Sequence, residues 1–362
     1  MSNLTAPPTG QKRSLAADWA ARDWKRLLLT NRTVMLVALL VIVVGGFSLL
    51  SAAGLLKADY NADYLSAALI NLVPLTMLAL AQTLVIVSGG GGIDLSVGSI
   101  VSLAGMIFGF TYGLWGWPLV PCIIATVLFG ACCGLVNGVL VAYLGYPPLI
   151  VTLATYYAMW SISLVINGQK PISTKPVQEL YALSKAVELP LIGQYLPLVP
   201  LGVFIFLIPT LLVVWLIMAK TTYGRRLFAI GTNDVAAAWA GISLPRTRAA
   251  AYIGSGAISG LVAVVTVCQF ASARPDAGVS GNGMALPAVT VAVLGGVAIT
   301  GGIGRVAGVG LAALLVVWLN AGILIAIEGN GGTQFQLFAL GVILVGSALL
   351  NGFTNRRYAG GG

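Results

Sequence analysis

The chain has 362 residues, of which 58% are hydrophobic and 8% charged, with 46 glycines and no histidine, and its mean hydropathy is +0.97. Water-soluble chains carry about 25% charged residues, so this surface faces lipid, while the missing histidine excludes Ser-His-Asp and Cys-His catalysis and removes the commonest metal ligand. The net charge of +9 is not gathered into a basic domain with interleaved aromatics, which argues against a nucleic-acid partner.

Residues 1–32 are polar and basic and lack the short apolar core and small-residue cleavage site of a signal peptide, so they read as a cytoplasmic tail. A bilayer core takes about 20 apolar residues per helix. Charges and turn residues then cut the chain into ten candidate spans near 33–56, 65–88, 96–113, 117–143, 149–167, 199–219, 249–270, 286–300, 307–327 and 334–353. The expectation is an all-α polytopic membrane protein with a transmembrane domain over 33–353 and a cytoplasmic tail over 354–362. With ten spans both termini share a side, and fourteen of the 19 Lys and Arg residues fall on that side, five on the other. The positive-inside rule therefore puts both termini in the cytoplasm.

In the second span Asn71 and Gln82 lie eleven residues apart, about three turns, and are expected to face the same way. Between the second and third spans runs Ser88-Gly89-Gly90-Gly91-Gly92-Ile93-Asp94-Leu95-Ser96-Val97-Gly98-Ser99, where four glycines cannot continue a helix cheaply. Asp94 either caps the helix starting at Leu95 or lines a polar pathway or gate. In the fourth span Gly130, Gly134 and Gly138 form a double GxxxG, matched by Gly256 and Gly260 in the seventh, a pattern for close helix packing in lipid. Asn137 and, in the fifth span, Thr152, Thr155, Ser161 and Ser163 are the remaining polar residues noted; each either bonds a neighbouring helix or meets a hydroxylated solute. Cys122, Cys132, Cys133 and Cys268 lie in apolar runs without a CxxC and read as small buried hydrophobes.

Two connections are long. The outer one, 168–198, carries both charge signs and Pro171, Pro176 and Pro190, and either docks a partner or caps the bundle. The inner one, 220–248, is basic at both ends around an alanine-rich centre and reads as a short helix parallel to the membrane. A second glycine-rich break, 295–304, falls on the same side as the first, a weak internal repeat. Its GxGxxA pattern at Gly302, Gly304 and Ala307 has no βαβ unit around it and is set aside as a dinucleotide site. There is no Walker A motif.

Three segments resemble the membrane permease subunits of bacterial ABC importers for monosaccharides, of the ribose, xylose, arabinose and galactoside type. GGIDLSVGSI at 91–100 is similar to that family's signature nearly letter for letter, and PPLIVTLAT at 147–155 differs at Leu149 and Ala154 from its usual Phe and Gly. TTYGRRLFAIGTNDVAAAWAGI at 221–242 matches at Gly224, Arg225, Ala229, Gly231, Asn233, Ala236, Ala237, Gly241 and Ile242, with Thr232 for a frequent Gly.

The resemblance implies a permease with no cofactor of its own. A separate ABC ATPase subunit would use ATP and Mg, an extracytoplasmic sugar-binding protein would deliver the solute, and a second permease copy or paralogue would complete the pathway in the bilayer. It implies that residues 231–242 are a coupling helix seated on the ATPase, with Gly224 and Arg225 beside it; Arg225, Arg226, Arg246 and Arg248 either contribute there or anchor to anionic lipid. Gly91, Gly92, Asp94 and Ser96, with Asn71, Gln82, Thr152 and Thr155, are the candidate pathway or gate residues, and no metal site is expected. Rival readings are a branched-chain amino-acid permease of related architecture, an ion-coupled secondary transporter with Asp94 as the ion site, and a lipid-linked sugar transferase, for which the acidic or histidine cluster is missing.

Overall fold

In lipid an apolar run must satisfy its backbone within itself, and the helix is the form that does so in a single segment. The computed structural model describes residues 32–188, 197–280, 283–327 and 329–358; the tail over 1–31, Pro190 and the last four residues lie outside them. In chain order the helices are α1 (Arg32–Ala52), α2 (Ala62–Val87), α3 (Val97–Phe108), α4 (Leu119–Gly138), α5 (Pro148–Val165), α6 (Lys175–Glu179), α7 (Ile208–Lys220), α8 (Thr222–Thr232), α9 (Asp234–Trp239), α10 (Leu244–Phe270), α11 (Ala285–Leu294), α12 (Val306–Ala326) and α13 (Asn330–Tyr358). Wider π-type turns prolong α3 to Leu114 and α4 to Tyr143, and another, Val203–Leu207, leads into α7. Among the described residues eight helices are long and apolar enough to cross a membrane.

Each of the ten expected spans has its helix, with three differences. The eighth, expected over 286–300, is helical only over Ala285–Leu294, about 15 Å and half a bilayer. The connection before it supplies the rest. Ala273 lies against Gly109 near one end of α3, and Gly278 lies against Gly98 at the other, so a connection that begins at the Ala273 bridge and continues as turns over 275–279 packs along about 16 Å of helix. The span is thus part turn-built connection and part helix, pinned where Ser102 Oγ accepts a bond from Gly278 N at 2.9 Å. The seventh span begins at Leu244 rather than 249, and α13 continues to Tyr358, into the stretch read as a tail.

Burial sorts the helices into a centre and a rim. The most apolar windows of α2, α3 and α10 are 78%, 72% and 72% buried, against 6% for α1 and 28% for α4, so α2, α3 and α10 form the core and the others turn a face outward. The double GxxxG explains one close contact: a Cβ at Gly130, Gly134 or Gly256 would overlap backbone atoms of the opposing helix in the α4–α10 pair, so the two backbones touch directly. Cys122, Cys133 and Cys268 are buried as expected, but Cys132 is exposed on α4, because the helix buries its glycine stripe and turns the adjoining position outward. The long outer connection caps the bundle. Ile172 and Ala273 exchange backbone bonds of 2.9 Å, Ser66 Oγ donates to Leu198 O, and a two-residue antiparallel pair, β1 (Ala186–Val187) with β2 (Val199–Pro200), closes the loop.

Candidate functional site

The first glycine break is held by side chains from four helices. Its backbone turns back on itself with Gly89, Gly90 and Gly91 at φ of +73°, +63° and +71°, a left-handed run that only glycine adopts cheaply. The chain then climbs back into the bundle, and Asp94 is fully buried. Its Oδ1 accepts from Ser96 N at 3.0 Å and from Ser96 Oγ, and its Oδ2 accepts from Ser255 Oγ of α10 at 2.9 Å. Gln82 of α2 pairs with the Asp94 main chain, Nε2 donating to its carbonyl and Oε1 accepting from its amide. On the other side Asn137 of α4 donates to Ser96 Oγ at 2.8 Å and accepts from Thr155 Oγ1 of α5 at 2.7 Å, while Thr152 Oγ1 donates to Ile93 O at 3.2 Å.

Gln82, Asp94, Ser96, Thr152 and Thr155, all candidates for a pathway or gate, are thus brought together in one hydrogen-bonded cluster. They are buried rather than lining an open channel, and Thr155 alone is partly exposed. The helix after the break starts at Val97, not Leu95. Asp94 therefore caps the turn at Ser96 and ties it to α10 as well. Gly92 is buried and Gly91 exposed. Asn71 stands apart, some 16 Å along α2 from Gln82, on a cleft beside α12 and α13; sharing a helix face does not make two residues neighbours when the helix crosses different partners at each depth. Sequence reasoning did not single out Ser255, which looks like any small residue in an α10 rich in them, and weighed Asn137 only as a polar residue of its span.

The inner connection folds as two short helices rather than one. Thr221 caps α8, its Oγ1 accepting from Gly224 N at 3.1 Å, and Gly224 is buried where a Cβ would overlap the Ile217 and Met218 carbonyls. Tyr223 donates to Thr247 O at 3.3 Å, and burial pushes its phenol pKa up. Asn233 breaks the helix in extended backbone and caps α9 through Oδ1, which accepts from Ala236 N at 2.9 Å. Gly241, at φ +77°, ends α9: Gly241 N bonds Ala238 O at 2.9 Å and Ile242 N bonds Ala237 O at 3.0 Å, the paired bonds of a Schellman cap. The Thr-x-x-Gly and Asn-x-x-Ala-Ala-x-x-x-Gly-Ile spacings are therefore the caps and close contacts of α8 and α9. Ala237 is buried beneath, whereas Val235 and Trp239, 67% and 88% exposed, form an outward apolar face; Arg225 and Arg226 of α8 are also exposed.

This loop is fastened to both glycine breaks. A Cβ at Gly231 would overlap Val87 O and Gly302 N, and one at Gly301 would lie 2.8 Å from Gly89 N and 3.0 Å from Gly231 O. Three backbones, from the end of α8, the first break and the second break, meet in direct contact at Gly231, Gly89 and Gly301, with the Thr232 side chain against Gly302 beside them. Gly302 N donates to Val87 O at 3.0 Å across the junction, so the two breaks do share one end of the bundle. Arg248, near the start of α10, adds a charged tie: its Nη2 reaches Asp234 Oδ1 and Oδ2 at 3.1 and 3.0 Å and Ser88 O at 3.4 Å. Arg248 thus holds α9 rather than lipid.

Comparison with known proteins places this architecture. Residues 64–348 match the family described as "Branched-chain amino acid transport system / permease component". The "Autoinducer 2 import system permease protein LsrD" of Salmonella paratyphi B is 36% identical over 333 residues, 90% of this chain and 92% of that protein. The proteins of the same name from Photorhabdus luminescens and Escherichia coli are each 36% identical over 316 residues, 86% of this chain and 89% of theirs. No solved structure matches. The chain belongs to this permease-component family and is a non-catalytic, multi-pass membrane subunit of the ABC importer type.

Proposed function

We propose that the chain is the pathway-forming subunit of an importer for autoinducer 2 or a similar small, neutral, sugar-like polyol. ATP and Mg are bound by a separate ATPase docked on α8 and α9, solute is delivered by an extracytoplasmic binding protein at the capped end, and a second permease copy or paralogue completes the pathway. The α8–α9 end and both termini face the cytoplasm, a reading supported by the fourteen-to-five excess of Lys and Arg on that side. The observation that carries the proposal is the construction of α9: a helix of six residues capped at both ends, with Val235 and Trp239 outward and Gly231 and Arg248 tying its base to both breaks. A push on α9 reaches α2, the first break and the second break without passing through a flexible side chain. The autoinducer 2 named for the relatives supports the solute class.

The test is uptake of autoinducer 2, ribose and leucine into proteoliposomes, with this chain alone and with its ATPase and binding protein, with and without ATP, and with an imposed proton or sodium gradient. Uptake of autoinducer 2 or ribose only in the full system with ATP is expected. Leucine as the sole solute carried would return the assignment to amino acids. Concentration of solute by the chain alone on an ion gradient would overturn the division of labour and make Asp94 the leading coupling group.

A further inference from the structure

We propose that a cleft between α2, α12 and α13, away from the Asp94 cluster, is a solute subsite on the pathway, one that holds a neutral polyhydroxylated molecule through the side-chain amides of Asn71, Asn320 and Gln336. The inference rests on the proposed function and names where within this chain the solute makes contact.

Three amides from three separate helices converge on one cavity of about 490 Å³, walled by Tyr64, Leu75 and Val317, a volume in the range of small-molecule sites. The chain places few polar side chains in its spans, and an amide turned to hydrocarbon without a partner costs about 1–3 kcal/mol, so three gathered at one depth mark a surface that meets something polar. Two of them are free to do so. Gln336 Nε2 donates to Asn320 O at 2.9 Å and Tyr64 donates to Ala321 O at 2.9 Å, which fix the walls. Among the described residues, the side-chain amides of Asn71 and Asn320 have no hydrogen-bond partner.

The chemistry selects the solute. Each amide offers a donor and an acceptor side by side, the complement of a hydroxyl, which is itself both. None of the described lining residues is charged, so the cleft gives no counter-ion to a carboxylate or an ammonium and disfavours zwitterions. Its position fits entry rather than release: Asn71 lies about 24 Å along α2 from Val87, where the coupling loop is fastened, and therefore toward the end of the bundle away from α8 and α9.

The experiment uses the complete transporter in proteoliposomes, with the four native cysteines replaced by alanine and a single cysteine placed by Asn71→Cys or Asn320→Cys. A membrane-impermeant methanethiosulfonate reagent is applied with and without autoinducer 2, ribose or xylose. Modification at both positions, slowed by whichever of these the unmodified complex carries, is expected. Asn71→Ala and Asn320→Ala should each raise KM for uptake about fivefold, the worth of one hydrogen bond, with the melting temperature unchanged. No modification at either position means that lipid or a second permease copy covers the cleft, and overturns the proposal. Modification without protection by a carried solute overturns it too. Failure of the unmodified complex to carry any of the three counts against the proposed function instead, while reagent access still decides whether the cleft is open to water.

Discussion

Replacing Gly231 by alanine adds a single methyl group at the point where α8, the first glycine break and the second glycine break touch. The new Cβ would overlap Val87 O and Gly302 N and sit 3.0 Å from Gly302 Cα, all backbone atoms with no rotamer by which to retreat. Real Cβ atoms essentially never come within 3.0 Å of another heavy atom, so the three segments must part by something on the order of 1 Å, an overpacking that costs about 1–3 kcal/mol. Parting them also strains the Gly302 N to Val87 O bond of 3.0 Å, the direct link between the two breaks. The expected outcome is a lower melting temperature in detergent together with uptake that falls further than ATP hydrolysis does, because the ATPase still finds α9 but its movement no longer reaches α2. Gly241→Ala is the control. That position is open, with nothing near a Cβ, but sits at φ +77°, so its effect, about 1 kcal/mol, is confined to the end of α9. A Gly231→Ala protein that melts and transports like the parent would refute the tight junction and the route of coupling drawn through it.

Two further outcomes follow from the site. Trp239→Ala removes a side chain that is 88% exposed and packs against little of its own chain, so stability should be unchanged while binding of the ATPase, measured by co-purification, weakens; an unaltered complex would remove α9 as the docking face. Asp94→Leu deletes the acceptor for Ser96 N, Ser96 Oγ and Ser255 Oγ in a buried cluster and should destabilise the fold by about 1–3 kcal/mol for each donor left unsatisfied, whereas Asp94→Asn keeps an oxygen for Ser96 and should be milder. If instead Asp94→Asn melts normally and abolishes uptake, its charge acts in transport and the structural role assigned here is wrong.

Composition and periodicity were enough to establish a polytopic helical membrane protein, because 8% charge and runs of about 20 apolar residues leave a chain no other way to satisfy its backbone in lipid. The glycine pattern was legible for the same local reason. Three successive left-handed residues at 89–91 need glycine whatever surrounds them, and Asn233 and Gly241 bracket α9 as local caps, while the GxxxG spacing of α4 and α10 marked two helix faces able to pack closely without naming them as partners. What the sequence left open depends on which segments meet. Asn71 and Gln82 share a helix face yet serve different places, since α2 passes α12 and α13 at one depth and the Asp94 turn at another. Ser255 acquires a role only because α10 brings it to Asp94, and α11 is half a span only because the turns before it can pack along α3 where Gly98 and Gly278 bear no side chains. Hydropathy averages along the chain and records neither event. Tertiary packing decided both, because contacts between distant segments are set by complementary surfaces that no local window contains.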